Sequence, residues 1–157
     1  MRLALCMTRS EKQTPPPSGT TPIRVRYVEC DPMGVAHHSS YLPWMEMGRT
    51  ELLREVGESY AALEEAGVFL VVTKLEVKYR RPIRYDDVIE IRTRVSGSTK
   101  VKLMHSYELV LVERAGASPD PARDPSVPAD GVCSIATTEI ACVGSDGRPR
   151  ALPDWLS

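Results

Sequence analysis

Between Tyr27 and Tyr41 the chain gathers Glu29, Cys30, Asp31, His37 and His38 in a stretch too irregular for a strand and too polar for core. Pro32 and Gly34 impose a bend directly after Asp31, so its carboxylate can stand at a strand end, facing the start of a following helix. A helix start offers free backbone N–H groups and a partial positive charge of ~0.5. A carbonyl held on those N–H groups, with a carboxylate opposite that attacks it or activates water, is an arrangement suited to hydrolysis of a thioester. The plainer reading is that Asp31 caps the helix or bonds its own turn, as Asp before Pro often does.

The elements that must position these groups follow from periodicity. Ile23, Val25 and Tyr27 alternate with Arg24 and Arg26, which predicts a strand entering the segment. From Leu42 to Val56 the apolar residues Leu42, Met45, Leu52, Leu53 and Val56 recur at helical spacing. Gly48 leaves room there for close packing, Ser39 or Ser40 can cap, Pro43 falls in the first turn and Gly57 is placed to end the helix. A short second helix is predicted over Ser59 to Ala66, with Ser59 as cap and Gly67 as terminator.

The period then changes to two. Val71, Thr73, Leu75, Val77 and Tyr79 share one face of a long strand; Ile89, Ile91 and Val95 mark the next, and Val101, Leu103, Tyr107, Leu109 and Leu111 a third, with Ser96-Gly97-Ser98 as the joint between these last two. A last strand runs from about Val132 to Val143 and meets the turn Ser145-Asp146-Gly147. One long helix with an antiparallel sheet makes an α+β domain over residues 22–157. Residues 1–21, with Pro15, Pro16 and Pro17, read as a disordered leader, and the Pro-rich stretch 115–131 as an exposed loop.

The bulk numbers narrow the classes. With 20 Lys plus Arg against 21 Asp plus Glu, a net charge of −1 argues against a nucleic-acid coat. No apolar run approaches the ~20 residues of a membrane span, and the apolar start of the chain is shorter than a signal-peptide core, so a cytoplasmic protein is expected. Cys6, Cys30, Cys133 and Cys142 show no C-x-x-C pairing and are expected as free thiols.

Asp31, Gly34, His38, Tyr41, Glu46 and Arg49, as D-x-x-G-x-x-x-H-x-x-Y-x-x-x-x-E-x-x-R, resemble the signature of hotdog-fold thioesterases of the 4-hydroxybenzoyl-CoA type. The nearest branch by this resemblance is the acyl-CoA thioesterases encoded beside the Tol and Pal envelope proteins. Val71-Val72, Tyr79-x-x-Pro82-x-x-x-Asp86-Asp87 and Asp146-Gly147-x-Pro149 continue it. The resemblance implies that acyl-CoA is hydrolysed to free acid and CoA, with Asp31 as nucleophile or general base. It puts the His38 N–H on the thioester carbonyl and the His38 imidazole nearby. Tyr27, Gly34 and Tyr41 would shape the pocket, and Val71, Val72 and Thr73 of a neighbouring subunit would line its acyl part. It implies a homodimer or dimer of dimers and no cofactor; no metal is expected, since His37 and His38 have no third ligand at a suitable spacing. Ala36, His37 and Met45 stand where such proteins usually carry aromatic groups or have one nearby.

Competing assignments attach to single residues. Glu46 is the reserve catalyst, or merely an ion-pair partner of Arg49. Adjacent side chains such as His37 and His38 are expected to diverge, and His105 to be a satisfied histidine on the sheet. Only one of Cys30 and Asp31 can face the site. Arg80, Arg81, Arg84, Lys100 and Lys102 are candidates for the CoA phosphates. A hotdog enoyl-CoA hydratase or dehydratase, and a non-catalytic acyl-CoA or acyl-carrier binding module, are the rival functions.

Overall fold

The computed structural model describes residues 15–156. Strands β1 (Ser18–Arg24), β2 (Phe69–Tyr79), β3 (Val88–Ser98), β4 (Lys102–Glu113) and β5 (Val132–Val143) form one antiparallel sheet in the order β1-β3-β4-β5-β2. Helix α1 (Tyr41–Arg54) lies against β1 and β3, and α2 (Tyr60–Glu65) follows it. Alternation in β3 and β4 does what period two requires: Ile89, Ile91, Thr93, Leu103, Tyr107, Leu109 and Leu111 turn inward.

The buried stripe of α1 is Tyr41, Trp44, Met45, Gly48, Arg49, Leu52 and Leu53, spaced as an amphipathic helix must be. Of the expected face Met45, Leu52 and Leu53 are buried, and Tyr41, Trp44 and Arg49 join them in place of Leu42 and Val56. Leu42 is 44% exposed, and Val56 falls beyond the helix. The cap also differs: Ser40 makes no side-chain cap bond, and the His37 ring instead accepts the Ser39 N–H at 3.3 Å. α2 follows its expectation closely, with the Ser59 hydroxyl accepting the Ala62 N–H at 3.2 Å.

Gly48 is where α1 comes closest to the sheet. A Cβ there would run into the Thr93 hydroxyl and stand 3.1 Å from Ile91 Cγ2. Gly48→Ala is expected to cost about 1–3 kcal/mol through overpacking, despite the helix propensity it gains. A urea midpoint equal to that of the native chain would remove this approach as a constraint.

The boundary drawn at residue 21 moves. Ser18 to Arg24 pair with Arg94 to Val88, and Val95 N–H donates to Pro17 C=O at 2.8 Å, so the end of the supposed leader is an edge strand. Polar side chains did not prevent this, because the ladder satisfies main-chain groups whatever the side chain. Pro22 is tolerated at the edge. The leader's earlier part, and Cys6, lie outside the described residues. The strand expected through Tyr27 stops at Arg24, and Tyr27–Glu29 forms a 3₁₀ turn. β3 likewise runs through Ser98, with a bulge beside Gly97, and the joint is the turn closed by Thr99 N–H on Lys102 C=O.

The Pro-rich loop is anchored rather than loose. Val127 and Pro128 are buried, and Arg114, at its base, binds Asp87, Asp124, Ser126 and the Pro82 carbonyl. β2, by contrast, is an edge strand with both faces largely exposed and a bulge between Val72 and Lys74. Its expected buried face finds no cover within one chain.

Candidate active site

Asp31 sits at the tip of a small hairpin. Cys30 bridges Ala36, Asp31 N–H donates to Val35 C=O at 2.9 Å, and His37 N–H donates to Glu29 C=O at 2.8 Å. Gly34 closes the bend at φ +76°, a conformation that costs other residues about 1 kcal/mol or more, and its N–H reaches the Asp31 carbonyl at 2.9 Å. Its part is conformational. Within this register Cys30 and Ala36 pack toward the core, and Asp31 points the other way. Burial pushes the Cys30 thiol up, which makes it a poor nucleophile.

Asp31 Oδ1 accepts the Met33 N–H at 2.8 Å, the turn bond that the plainer reading foresaw. Its second oxygen has no hydrogen-bond partner among the described residues and is left available for chemistry. The hairpin feeds a 3₁₀ turn, His38–Ser40, that runs straight into α1. At its first residue the His38 N–H points out of the turn without a protein acceptor among the described residues. Tyr79, at the end of β2, donates its hydroxyl to the His38 carbonyl at 3.1 Å and packs edge-on against Tyr41. The end of β2 therefore steadies this turn.

What fixes the hairpin to the helix is Glu29, whose type and place in the sequence suggested no role of its own. Its carboxylate accepts the Arg26 N–H at 2.7 Å, the Arg26 guanidinium at 2.8 Å and the buried Trp44 indole N–H at 2.9 Å, and its carbonyl also takes the Ser40 hydroxyl. Burial pushes this carboxyl up, but the Arg26 and Trp44 bonds outweigh it and hold it below its ordinary value. Glu29→Ala strands the Trp44 N–H. A loss of roughly 1–3 kcal/mol is expected in urea unfolding, with a fall in kcat as the hairpin loosens. Unchanged stability would mean that the loop is held by something else. Only a weak signal announced this residue: the three-residue spacing from Arg26.

The other expected site residues are scattered by comparison. Tyr41 is 3% exposed, its ring against Trp44 and Tyr79, so in one chain it backs the site from within the core and does not face substrate. Tyr27 is 81% exposed and leans on Tyr85. Val71, Val72 and Thr73 lie on the open edge strand, with the Thr73 hydroxyl on the Glu139 carbonyl. Glu46 points to solvent and pairs with Arg49 at 3.1 Å, the ion pair weighed against its catalytic reading. His37 and His38 do not diverge: their rings stand 4.0 Å apart, because the backbone turns between them. Among the described residues no group of three His, Cys, Asp or Glu gathers as a metal site, and no helix is long and apolar enough to cross a membrane. Cys30, Cys133 and Cys142 are free thiols.

Of the basic candidates, Arg80 is bound to Asp130, Arg84 to Asp124 and Lys102 to Glu139. Lys100 lies at the far turn, where its carbonyl takes the Leu152 N–H. Arg81 follows Tyr79 closely and makes no ion pair among the described residues; its guanidinium reaches only the Arg80 carbonyl.

A five-stranded antiparallel sheet packed on one main helix defines a hotdog α+β protein, and its relatives set it among the thioester hydrolases. The chain belongs to the thioesterase-like superfamily, whose profile matches residues 25–157. It is 38% identical over 133 residues to the acyl-CoA thioester hydrolase YbgC of Escherichia coli, covering 84% of this chain and 87% of that one. It is 30% identical over 138 residues to the putative acyl-CoA thioesterase YneP of Bacillus subtilis, covering 85% and 88%. Among solved structures, the DHNA-CoA thioesterase of Staphylococcus aureus superposes with a TM-score of 0.71 at 28% identity, over 86% of this chain and 80% of that one. A 4-hydroxybenzoyl-CoA thioesterase shares the fold at a TM-score of 0.71 and 16% identity, over 88% and 95%.

Proposed function

We propose that this thioesterase hydrolyses acyl-CoA to a free carboxylic acid and CoA, with Asp31 as the reacting carboxylate. The observation that carries the reading is the unpartnered Asp31 oxygen on a core-averse hairpin tip that leads into the free N–H of His38. The thioester carbonyl rests on the His38 amide, which stabilises the oxyanion as it forms. As nucleophile, Asp31 attacks the carbonyl carbon, the C–S bond breaks to release CoA thiolate, and water then cleaves the mixed anhydride. As general base, Asp31 takes a proton from water, the hydroxide adds to the carbonyl, and the collapsing intermediate expels the thiolate, which ends protonated. The His38 imidazole stands at the same turn. Neither route needs a cofactor beyond the substrate's own CoA.

The working unit is a homodimer or a dimer of dimers. An edge strand of 11 residues that exposes Val71, Val72, Leu75 and Tyr79 is a template for a second copy of itself, and two-fold pairing along β2 covers it. In such a dimer Val71, Val72 and Thr73 of the neighbouring copy would line the acyl pocket. Free thiols at Cys30, Cys133 and Cys142 support a cytoplasmic location.

Thiol release from a panel of acyl-CoAs, with Asp31→Asn beside the native chain, tests the assignment; equal rates would defeat it. Arg81, free of carboxylates near the Tyr79 end of β2, is the residue assigned to a CoA phosphate. Loss of one such charge-assisted bond in Arg81→Ala should raise KM for acyl-CoA about tenfold. The same variant should act normally on an N-acetylcysteamine thioester, which lacks the phosphates. A parallel loss on both substrates would assign Arg81 to structure instead.

A further inference from the structure

The core is divided. One cluster holds Tyr41, Trp44, Met45, Ile91 and Tyr107; a second, around the C-terminal half of α1, holds Leu53, Leu63, Leu103 and Cys142, and the two share no member. Beside the second lies a cavity of ≈ 280 Å³ that no residue from Tyr27 to Tyr41 lines. The first cluster, with Tyr41, Trp44 and Met45 from the first turns of α1, fills the space toward the hairpin of Asp31. Exposed Pro17, Ser96 and Ser98 mark the mouth of the cavity.

Its walls are apolar except for Arg49, Tyr60, His105 and the serines at the mouth. Arg49 is 8% exposed, yet the carboxylate paired with it is Glu46, whose side chain is 67% exposed. A pair so open contributes about 0–1 kcal/mol and does little for a buried guanidinium. Arg49 Nε also donates to the neutral Tyr60 hydroxyl at 3.2 Å, and the Tyr107 hydroxyl stands within its hydrogen-bonding reach. His105, expected to be satisfied, is 4% exposed, and its Nδ1 has no partner among the described residues. Burial, and then the Arg49 charge, push its pKa down to about 4, so the ring is neutral and cannot itself repel or balance the cation. A buried cation whose one carboxylate partner lies toward solvent, an imidazole with an unpartnered nitrogen and a phenol thus border an apolar hollow, a setting in which the carboxylate of an apolar acid gains both an ion pair and hydrogen bonds.

We propose that this cavity binds a monocarboxylic acid, its carboxylate on Arg49 and Tyr60 beside His105, its hydrocarbon against Leu53, Leu70, Leu103 and Ile140. The volume is roughly twice that of an apolar cavity that takes one benzene (~150 Å³), which suits a chain of about six to eight carbons. Acids of this class are what the thioesterase reaction releases, so the cavity is a second place for product, apart from Asp31.

The chain has 3 histidines, which makes the test direct. Imidazole ¹H–¹⁵N spectra of the full chain, titrated with octanoate and with octanol, separate the cavity (His105) from the hairpin site (His37 and His38). A saturable shift of His105 with octanoate is expected, at least tenfold weaker with octanol and in Arg49→Gln. No saturable shift at His105, shifts at His37 and His38 alone, or equal binding of the alcohol would overturn the proposal. Should Arg49→Gln not fold, the acid-against-alcohol comparison on the native chain decides. Thiol release is not part of the readout, so failure of the Asp31 assignment and failure of this one are told apart.

Discussion

Asp31→Asn is expected to lower kcat by about 10²–10⁴-fold, the range that a positioned acid–base or nucleophilic group supplies. Asparagine keeps the size of the side chain, and its amide oxygen can still accept the Met33 N–H that closes the turn. The hairpin should therefore stand. What disappears is the charge on the second oxygen, which no protein group engages among the described residues. Unfolding free energy should change by less than about 0.5 kcal/mol, as for a substitution away from buried features. Steady-state thiol release, run beside urea unfolding of the same two proteins, makes the comparison. An Asn variant retaining a tenth or more of the native rate would dissociate Asp31 from the chemistry. An unstable variant would show instead that the turn bond was its main business.

The largest stability effect is expected at Arg114. Its Nε and one Nη reach both oxygens of Asp87 at 2.9 and 2.7 Å, and the other Nη reaches Asp124 and Ser126. Side-chain hydrogen bonding to Asp87 is the chief reason the guanidinium is held even more firmly protonated than usual. Asp87 is 1% exposed, so Arg114→Met leaves a buried carboxylate whose remaining side-chain bond is the Arg84 N–H at 2.7 Å. Breaking one side of such a pair costs about 3–5 kcal/mol. Asp124 and Ser126 lose one of their two arginine partners and keep the exposed Arg84, which loosens the loop that seats Val127 in the core. The double variant Arg114→Met with Asp87→Leu should recover part of the loss, because no charge is then buried alone. If the single variant lost under 1 kcal/mol in urea unfolding, the network would be decoration.

The network also explains why the Pro-rich stretch had no legible role. Its prolines announced an exposed loop, and most of it is one. Nothing local in 115–131 says that Asp124 and Ser126 will meet an arginine that is also bound to Asp87, a residue of another turn altogether. The signature positions behaved similarly. Asp31, Gly34 and His38 could be picked out by type and spacing, but Glu29 was passed over because its partner, the Trp44 indole, becomes a neighbour only when the helix packs back on the hairpin.

By itself the sequence determined what neighbours along the chain decide: the tight turn after Asp31, α2 with its Ser59 cap, the room at Gly48, and the alternation of β3 and β4. These depend on allowed backbone angles and on periods of 3.6 and 2, which are properties of a few consecutive residues. Only the tertiary structure decided that residues 18–24 form a strand, that Tyr41 and Arg49 rather than Leu42 face inward, and that His105 Nδ1 has no hydrogen-bond partner among the described residues. Each of those outcomes is set by what a distant segment presents. A ladder needs a second strand, and the cost of burying a polar group is fixed by whichever partner arrives to meet it.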